Sequence, residues 1–297
     1  MTEITPSRAL DHLVLPVVDI DMARRRYEQL GFTVAPDGRH PFGTENCCIF
    51  FKDGTFLEPL GIAQRETCEA KAVKGNTFVA NDQTYRFRRG EEGFSHLVVK
   101  SQDAKADHGL YKAHGISAGR MVRFSRRFTT PDGENNKVSF ALAFAADQRS
   151  PDSGFFSCQV VTSAAVDRSK LQRHKNGVSG LKEVILSEVN PTDFQYFFQT
   201  YLNQREMDVD SFGMSFDAAD SKVTVLSPDG MKAFYGMDCR RSERGMLFEA
   251  FVLAVDNLNA MSELLKSRQI SFEHHDTRLI VPAAPGQGTT LILEEAS

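Results

Sequence analysis

One pattern limits what this chain can become: a short apolar strand, a capped amphipathic helix and a glycine, which recur along its length. "LDHLVLPVVDIDMARRRYEQLGF" (10–32) is the first copy. Its β-branched run over 10–17 reads as a buried strand. Met22, Tyr27 and Leu30 share one face of a helix over 20–30, beside the charged Arg24, Arg25 and Arg26. Asp19 or Asp21 can cap that helix, and Gly31 suits the left-handed position after its end. "FSHLVVKSQDAKADHGLYKAHGI" (94–116) repeats the order. "LKEVILSEVNPTDFQYFFQTYL" (181–202) opens a third unit and "FEAFVLAVDNLNAMSELLKSRQI" (248–270) a fourth. Units of this kind bury their apolar faces by packing on one another.

Three extended stretches follow the first opening, around 32–35, 46–52 and 55–62, with "KDGT" (52–55) as a hairpin turn. Strands are expected at 119–126, 136–146 and 154–162 in the second unit, and a last one at 289–295. Each unit then reads strand–helix–strand–strand–strand. Aligned on the helix caps, His12, His96, Glu183 and Glu249 become equivalent, each seven residues before Asp19, Asp103, Asn190 and Asp256 respectively. A polar residue at the start of a buried strand either faces solvent or is a side chain held in a rigid place.

A length of 297 residues suggests about two domains. The net charge of −4 gives no basic field, so no nucleic-acid partner is expected. "MTEITPSRAL" lacks the features of a secretion signal, and no apolar run approaches the roughly 20 residues that span a bilayer, so no membrane partner is expected. The five cysteines are scattered without a CxxC pair, which argues against a disulfide framework and makes a cytoplasmic location the simplest expectation. No Gly-rich phosphate loop, nucleophile elbow or HExxH occurs.

The repeated and paired βαβββ unit resembles the vicinal oxygen chelate superfamily, which includes glyoxalase I, bleomycin-resistance proteins, extradiol dioxygenases and fosfomycin-resistance enzymes. It looks most like the glyoxalase-like branch. The residues that carry the resemblance are "LDHLVLPVVDID", "LGF", "HPFGTEN" (40–46), "GTFLEPL" (54–60), "FFSCQ" (155–159) and "RHKNGVSGL" (173–181). The resemblance implies an α+β fold of four tandem βαβββ modules pairing into two cup-shaped mixed sheets. Residues 1–165 would form the domain with the active-site cup, and 166–297 a second, degenerate one. That second cup would carry Glu183, Glu249 and Glu294 or Glu295.

The resemblance also implies metal ligands from the first and last strands of each module: His12, Glu58 and His96. A fourth falls in "FFSCQ". Counting four from a glycine leads from Gly54 to Glu58 and from Gly154 to Cys158. Gln159, one residue on, faces the other way in a regular strand, and a bulge would be needed to bring it in as a ligand. Two imidazoles and one carboxylate suit Fe(II), with Mn, Ni or Zn as other choices of divalent metal. Such an ion would polarise a carbonyl or chelate vicinal oxygens. In glyoxalase chemistry a carboxylate, here Glu58, is also the proton-transfer base.

Other residues have two readings each. His40 and Asn46, at the mouth of the cup in the related branch, are a base and a substrate contact, or members of a turn punctuated by Pro41 and Gly43. Arg123 in "RMVRFSRRF" either enters the cup, where it would suit an anionic substrate beside Cys158, or lies on a solvated strand face. "RHKNG" (173–177) reads as a structural connection, and "YRFRRGEEGF" (85–94) as a link between modules. The expected function is a metal-dependent lyase, isomerase or dioxygenase acting on a small polar molecule. The alternative is a metal-free cup that sequesters a small ligand. A homodimer stays open.

Overall fold

The computed structural model describes residues 7–129, 135–162, 167–239 and 243–296. The first module runs through β1 (Leu10–Pro16), α1 (Ile20–Gln29), β2 (Gly38–Arg39), β3 (Thr44–Asn46), β4 (Ile49–Phe50) and β5 (Phe56–Ile62). Two helices intervene, α2 (Arg65–Val73) and α3 (Thr77–Arg89). The second module is β6 (His96–Lys100), α4 (Ala104–Ala113), β7 (Val122–Thr129), β8 (Asn135–Ala145) and β9 (Gly154–Thr162). The third is β10 (Val178–Ser187), a 3-10 turn (Pro191–Phe194) leading into α5 (Gln195–Tyr201), β11 (Asp208–Val209), β12 (Gly213–Ala218), β13 (Ser221–Leu226) and α6 (Pro228–Tyr235). The fourth is β14 (Leu247–Val255), α7 (Leu258–Ser267), β15 (Glu273–His275), β16 (Arg278–Val281) and β17 (Thr290–Glu295).

The strands form two mixed sheets, so the fold is α+β as expected. The first sheet has the order β2-β3-β5-β1-β6-β9-β8-β7 with β4 beside β5, and the second β11-β12-β13-β10-β14-β17-β16-β15. Each sheet is centred on an antiparallel pair of module-opening strands, β1 with β6 and β10 with β14. Each of those strands is flanked by the last long strand of its own module, running parallel to it. The centre of each sheet is therefore nearly two-fold symmetric.

The helix caps follow the sequence with one exception. The Asp19 carboxylate accepts from Met22 N, and Asp103 accepts from Lys105 N and Ala106 N. Asn190 opens the 3-10 turn. In the fourth module the cap is Asn257, whose side chain accepts from Ala260 N, and not Asp256. The residue seven before it is Ala250. The register agrees, because Ala250 lies opposite Ile185 just as His96 lies opposite Val14. Glu249 is thus one residue out of the aligned position, which in a strand means the other face.

Two local expectations are also corrected. Residues 32–35 form no strand; Ala35 N instead donates to Cys48 O. The stretch 85–94 is not merely a link, because its first half ends α3. Asn76 caps this helix by accepting from Phe78 N and Val79 N, and Phe78, Val79, Asp82 and Arg86 make its buried face. Helical spacing is present there, but the buried face includes an ion pair (Arg86 Nε to Asp82 Oδ2, 2.9 Å) instead of an apolar stripe. Among the described residues no helix is long and apolar enough to cross a membrane.

The two faces of the first sheet serve different purposes. Leu13, Leu15, Leu97, Val99 and Phe155 join Phe197, Phe198, Tyr201 and Phe248 of the second half in one core. Val14, Leu60, Val98 and Phe156 point the opposite way, into the cup, against Phe78 of α3. "RHKNG" ties the halves together. The Asn176 amide donates to Leu30 O at the end of α1. His174 Nδ1 accepts from Thr33 N and its Nε2 donates to Phe50 O.

Candidate functional site

The concave face of the first sheet encloses a cavity of about 470 Å³. Strand parity decides which side chains enter it. His12 and Phe56 are paired across β1 and β5, as are Val14 and Glu58. Residues two apart share a face, so His12 and Glu58 look into the same space. His12 is 4% exposed and Glu58 5%.

A chain of polar contacts crosses the floor of the cavity. Asp11 Oδ2 accepts from His12 Nδ1 at 2.7 Å, which turns His12 Nε2 toward Glu58 Oε2 at 3.4 Å. Asn46 Nδ2 donates to Glu58 Oε1 at 2.5 Å, and Arg126 Nη1 donates to Asn46 Oδ1 at 3.2 Å. His40 Nε2 lies 3.8 Å from Glu58 Oε1, while its Nδ1 bonds Thr44 Oγ1 at 2.8 Å. Burial works against a charged His12, but the hydrogen bonds and charges of Asp11 and Glu58 outweigh it and push the ring up to about 9. Burial likewise favours a neutral Glu58, yet His12 holds its carboxyl down at about 2. His12 and Glu58 therefore stand as a buried ion pair at neutral pH. Burial lowers His40 to about 4, so it stays neutral.

His96 sits apart from this chain. Its ring lies on Gly154, where an added Cβ would come within 2.2 Å of it, so no larger residue fits there. Ser95 Oγ is 2.8 Å from His96 Nδ1 and also reaches Val14 O at 3.4 Å. The hydroxyl can then accept from Nδ1–H, leaving a lone pair on Nε2, which is buried and has no hydrogen-bond partner among the described residues. Burial pushes His96 down to about 4.

The two-fold symmetry of the sheet identifies what faces Glu58. His12 opposite Val98 and Val14 opposite His96 relate β1 to β6. Glu58 lies opposite Val14, so its counterpart is the residue opposite Val98, which is Phe156. The count from Gly54 and Gly154 was two residues out, because the counterpart of Gly154 is Phe56. Cys158 lies opposite Lys100 and lines the cavity, its thiol pushed well up by burial. Gln159 faces away: its Oε1 accepts from Ala104 N and its Nε2 donates to Gln102 O. No bulge brings it in, and the strand pairs regularly with β8 from Val160 to Phe155.

These residues do not fit the divalent ion that the sequence resemblance implies. Phe156 takes the place of a second carboxylate, and both imidazoles make edge contacts with its ring, each at a centroid distance of 5.6 Å. His12 Nε2 and Glu58 Oε2, 3.4 Å apart, are two donors near enough to share an ion, but they lack a third. Among the described residues no three His, Cys, Asp or Glu side chains come together as one ion would require.

The remaining expected residues divide in the same way. Asn46 lines the cavity, as do His40, Cys158 and Glu58. Arg123 is exposed and outside it. On β7 the residues facing the cup are Val122, Phe124 and Arg126, so the arginine that enters is Arg126. The alternation that carries this was legible, but its parity was read from the wrong arginine. Asp11 and Ser95, which orient the two imidazoles, were missed although each directly precedes its histidine.

The second cup has lost its donor set. The positions of His12, Glu58, His96 and Phe156 hold Glu183, Thr224, Ala250 and Ile292. Tyr235 of α6 reaches in and donates to Glu183 Oε2 at 2.8 Å, and Thr224 donates to the other oxygen. Arg278 bonds Glu294 Oε2 at 2.7 Å and lies 5.1 Å above the Tyr235 ring. Glu294 thus lies in this cup, whereas Glu249 instead accepts from Ser187 Oγ at 2.5 Å.

The sequence model of the glyoxalase-like domain family matches residues 10–202, and the chain belongs to that family. No curated protein matches it. Solved structures share the fold at low identity. A hypothetical protein from Staphylococcus aureus is 13% identical with a TM-score of 0.67, over 97% of this chain and 99% of that one. A mutant 4-hydroxymandelate synthase from Streptomyces coelicolor is 12% identical with a TM-score of 0.60, over 99% and 95%. A Mn(II)-bound glyoxalase from Novosphingobium aromaticivorans is 10% identical with a TM-score of 0.54, over 97% and 82%.

Proposed function

We propose that the first cup binds a small organic molecule without a metal ion, above a polar floor of His12, Glu58, His40 and Asn46. The observation that carries this reading is the combination of a cavity of about 470 Å³ with a self-satisfied ion pair at its floor. Small-molecule sites are typically concave, of roughly 300–1,000 Å³, mostly apolar and furnished with a few fixed polar groups. Both oxygens of Glu58 are already engaged, one by His12 and one by Asn46, which favours binding and orientation over proton abstraction.

A second reading is the metal-dependent lyase, isomerase or dioxygenase. The buried, unpartnered Nε2 of His96 favours it, because a lone pair there would suit a cation. Elemental analysis of untagged protein purified without chelators separates the two. The first reading expects far less than one metal per chain, together with fragments that raise the melting temperature, since a ligand bound only by the folded state stabilises it. Near-stoichiometric Fe, Mn, Ni or Zn, lost in His12→Ala and His96→Ala, would establish the second.

A further inference from the structure

The polar floor of the first cup sets one imidazolium against two carboxylates, and the wall adds two arginines. Asp11 and Glu58 are both engaged by His12. Arg126 and Arg168 also line the cavity, and among the described residues neither forms an ion pair. Arg126 spends one N–H on the Asn46 amide oxygen, while its Nε is buried with no acceptor among the described residues. Arg168 lies with its guanidinium 4.5 Å above the ring of Phe50. A buried guanidinium donor without an acceptor is costly, and the natural remedy is an anion supplied from outside.

Space has been left for this arginine. A Cβ at Gly38 would fall 2.0 Å from Arg126 Nη1 and 2.5 Å from Asn46 Oδ1, so the guanidinium and the amide occupy room that only glycine leaves open. The rest of the wall is aromatic. Phe124 and Phe140 stack with ring centroids 5.1 Å apart, and the Arg126 guanidinium sits 5.9 Å from the Phe140 ring. Phe56 stacks on His12 at 4.4 Å and Phe42 on His40 at 5.0 Å. Flat rings favour flat ligands, through offset or edge-on contacts.

Resting on the small-molecule reading above, we propose that this cup takes a compact aromatic carboxylate, its anion on Arg126 and its ring among the phenylalanines. Asn46 stands between the ligand's anion and Glu58, donating to one carboxylate and accepting from the arginine that holds the other. That amide keeps two like charges apart and keeps Arg126 from pairing with Glu58.

The test is calorimetric titration of the full chain with matched probes: cinnamate and benzoate, the neutral cinnamamide and benzamide, and aliphatic butyrate. The acids should bind at least tenfold more tightly than their amides and than butyrate. Arg126→Gln should abolish the preference for acid over amide, Arg126→Lys should keep part of it, and Arg123→Gln, on the outer face, should change nothing. Equal binding of acids and amides, or an acid preference that survives in Arg126→Gln, overturns the inference and leaves the small-molecule reading standing. Butyrate binding as tightly as cinnamate overturns the aromatic part. If none of these probes binds, the inference fails. If a wider panel of neutral, cationic and aliphatic fragments also leaves the melting temperature unmoved, the small-molecule reading fails with it.

Discussion

Phe156 occupies the symmetry position of Glu58, and its ring touches both imidazoles of the first cup. An aromatic group there removes one charged donor and fills part of the volume where an ion would sit. Replacing it should reverse this. Phe156→Glu is expected to bind Mn(II) or Ni(II) stoichiometrically, against far less than one equivalent expected for the natural chain, as read by elemental analysis after reconstitution, with circular dichroism confirming an intact fold. A folded variant that still takes no metal would show that His12, Glu58 and His96 cannot converge even with a fourth donor. At this scale the sequence was partly legible. His12, Glu58 and His96 stand out because polar residues inside buried strands are rare. The fourth position was not legible, because it depends on which residues of β5 and β9 lie opposite Val14 and Val98, and pairing register is a tertiary property. Arg126 was hidden for a related reason: three arginines within "RFSRRF" leave the inward parity open until Val122 and Phe124 are seen to face the cup.

Among the elements, the capped openings were the most legible, because a side-chain oxygen satisfying the first free N–H groups is a local interaction. The fourth opening shows where locality ends. "VDNLNA" offers both Asp256 and Asn257 as caps, and only the second is used. Asn257→Ala should therefore cost about 1 kcal/mol of stability, while Asp256→Ala should cost only a few tenths, as measured by urea denaturation. Equal losses would place the cap, and with it the alignment of Ala250 with His96, in doubt. The helices α2 and α3 were less legible. α2 buries only Cys68, and the buried face of α3 mixes Phe78 and Val79 with Asp82 and Arg86, where Arg86 satisfies itself by donating to the carbonyls of Val17, Leu60 and Glu91 as well as to Asp82. A stripe of that composition resembles a solvated segment until the acceptors are in place.

For the molecule as a whole, the boundary expected near residue 165 separates two sheets but not two cores. Phe94 stacks on Phe248 at 4.2 Å, and Phe155 meets Phe197, Phe198, Tyr201 and Phe248 at 4.7 to 5.7 Å. Phe155→Ala should cost about 3–5 kcal/mol, as is usual for a buried phenylalanine. The loss should appear in a single unfolding transition that takes both sheets together. Two separable transitions, or stable folding of 1–165 alone, would show that each half stands by itself. The repeats foretold the two sheets, but no repeat announces that their convex faces will merge, since an apolar strand face is equally ready for a helix or for another sheet. One contact across that seam has a bearing on time as well as on stability. The Tyr201 hydroxyl, from the half whose own cup holds Tyr235, donates to the carbonyls of Leu97 and Phe156 at 2.7 and 3.0 Å. The peptide units it pins belong to the very strands that floor the other cup. Breathing of that floor must therefore loosen α5, and a guest that stills it would slow the exchange of α5 amide hydrogens with water.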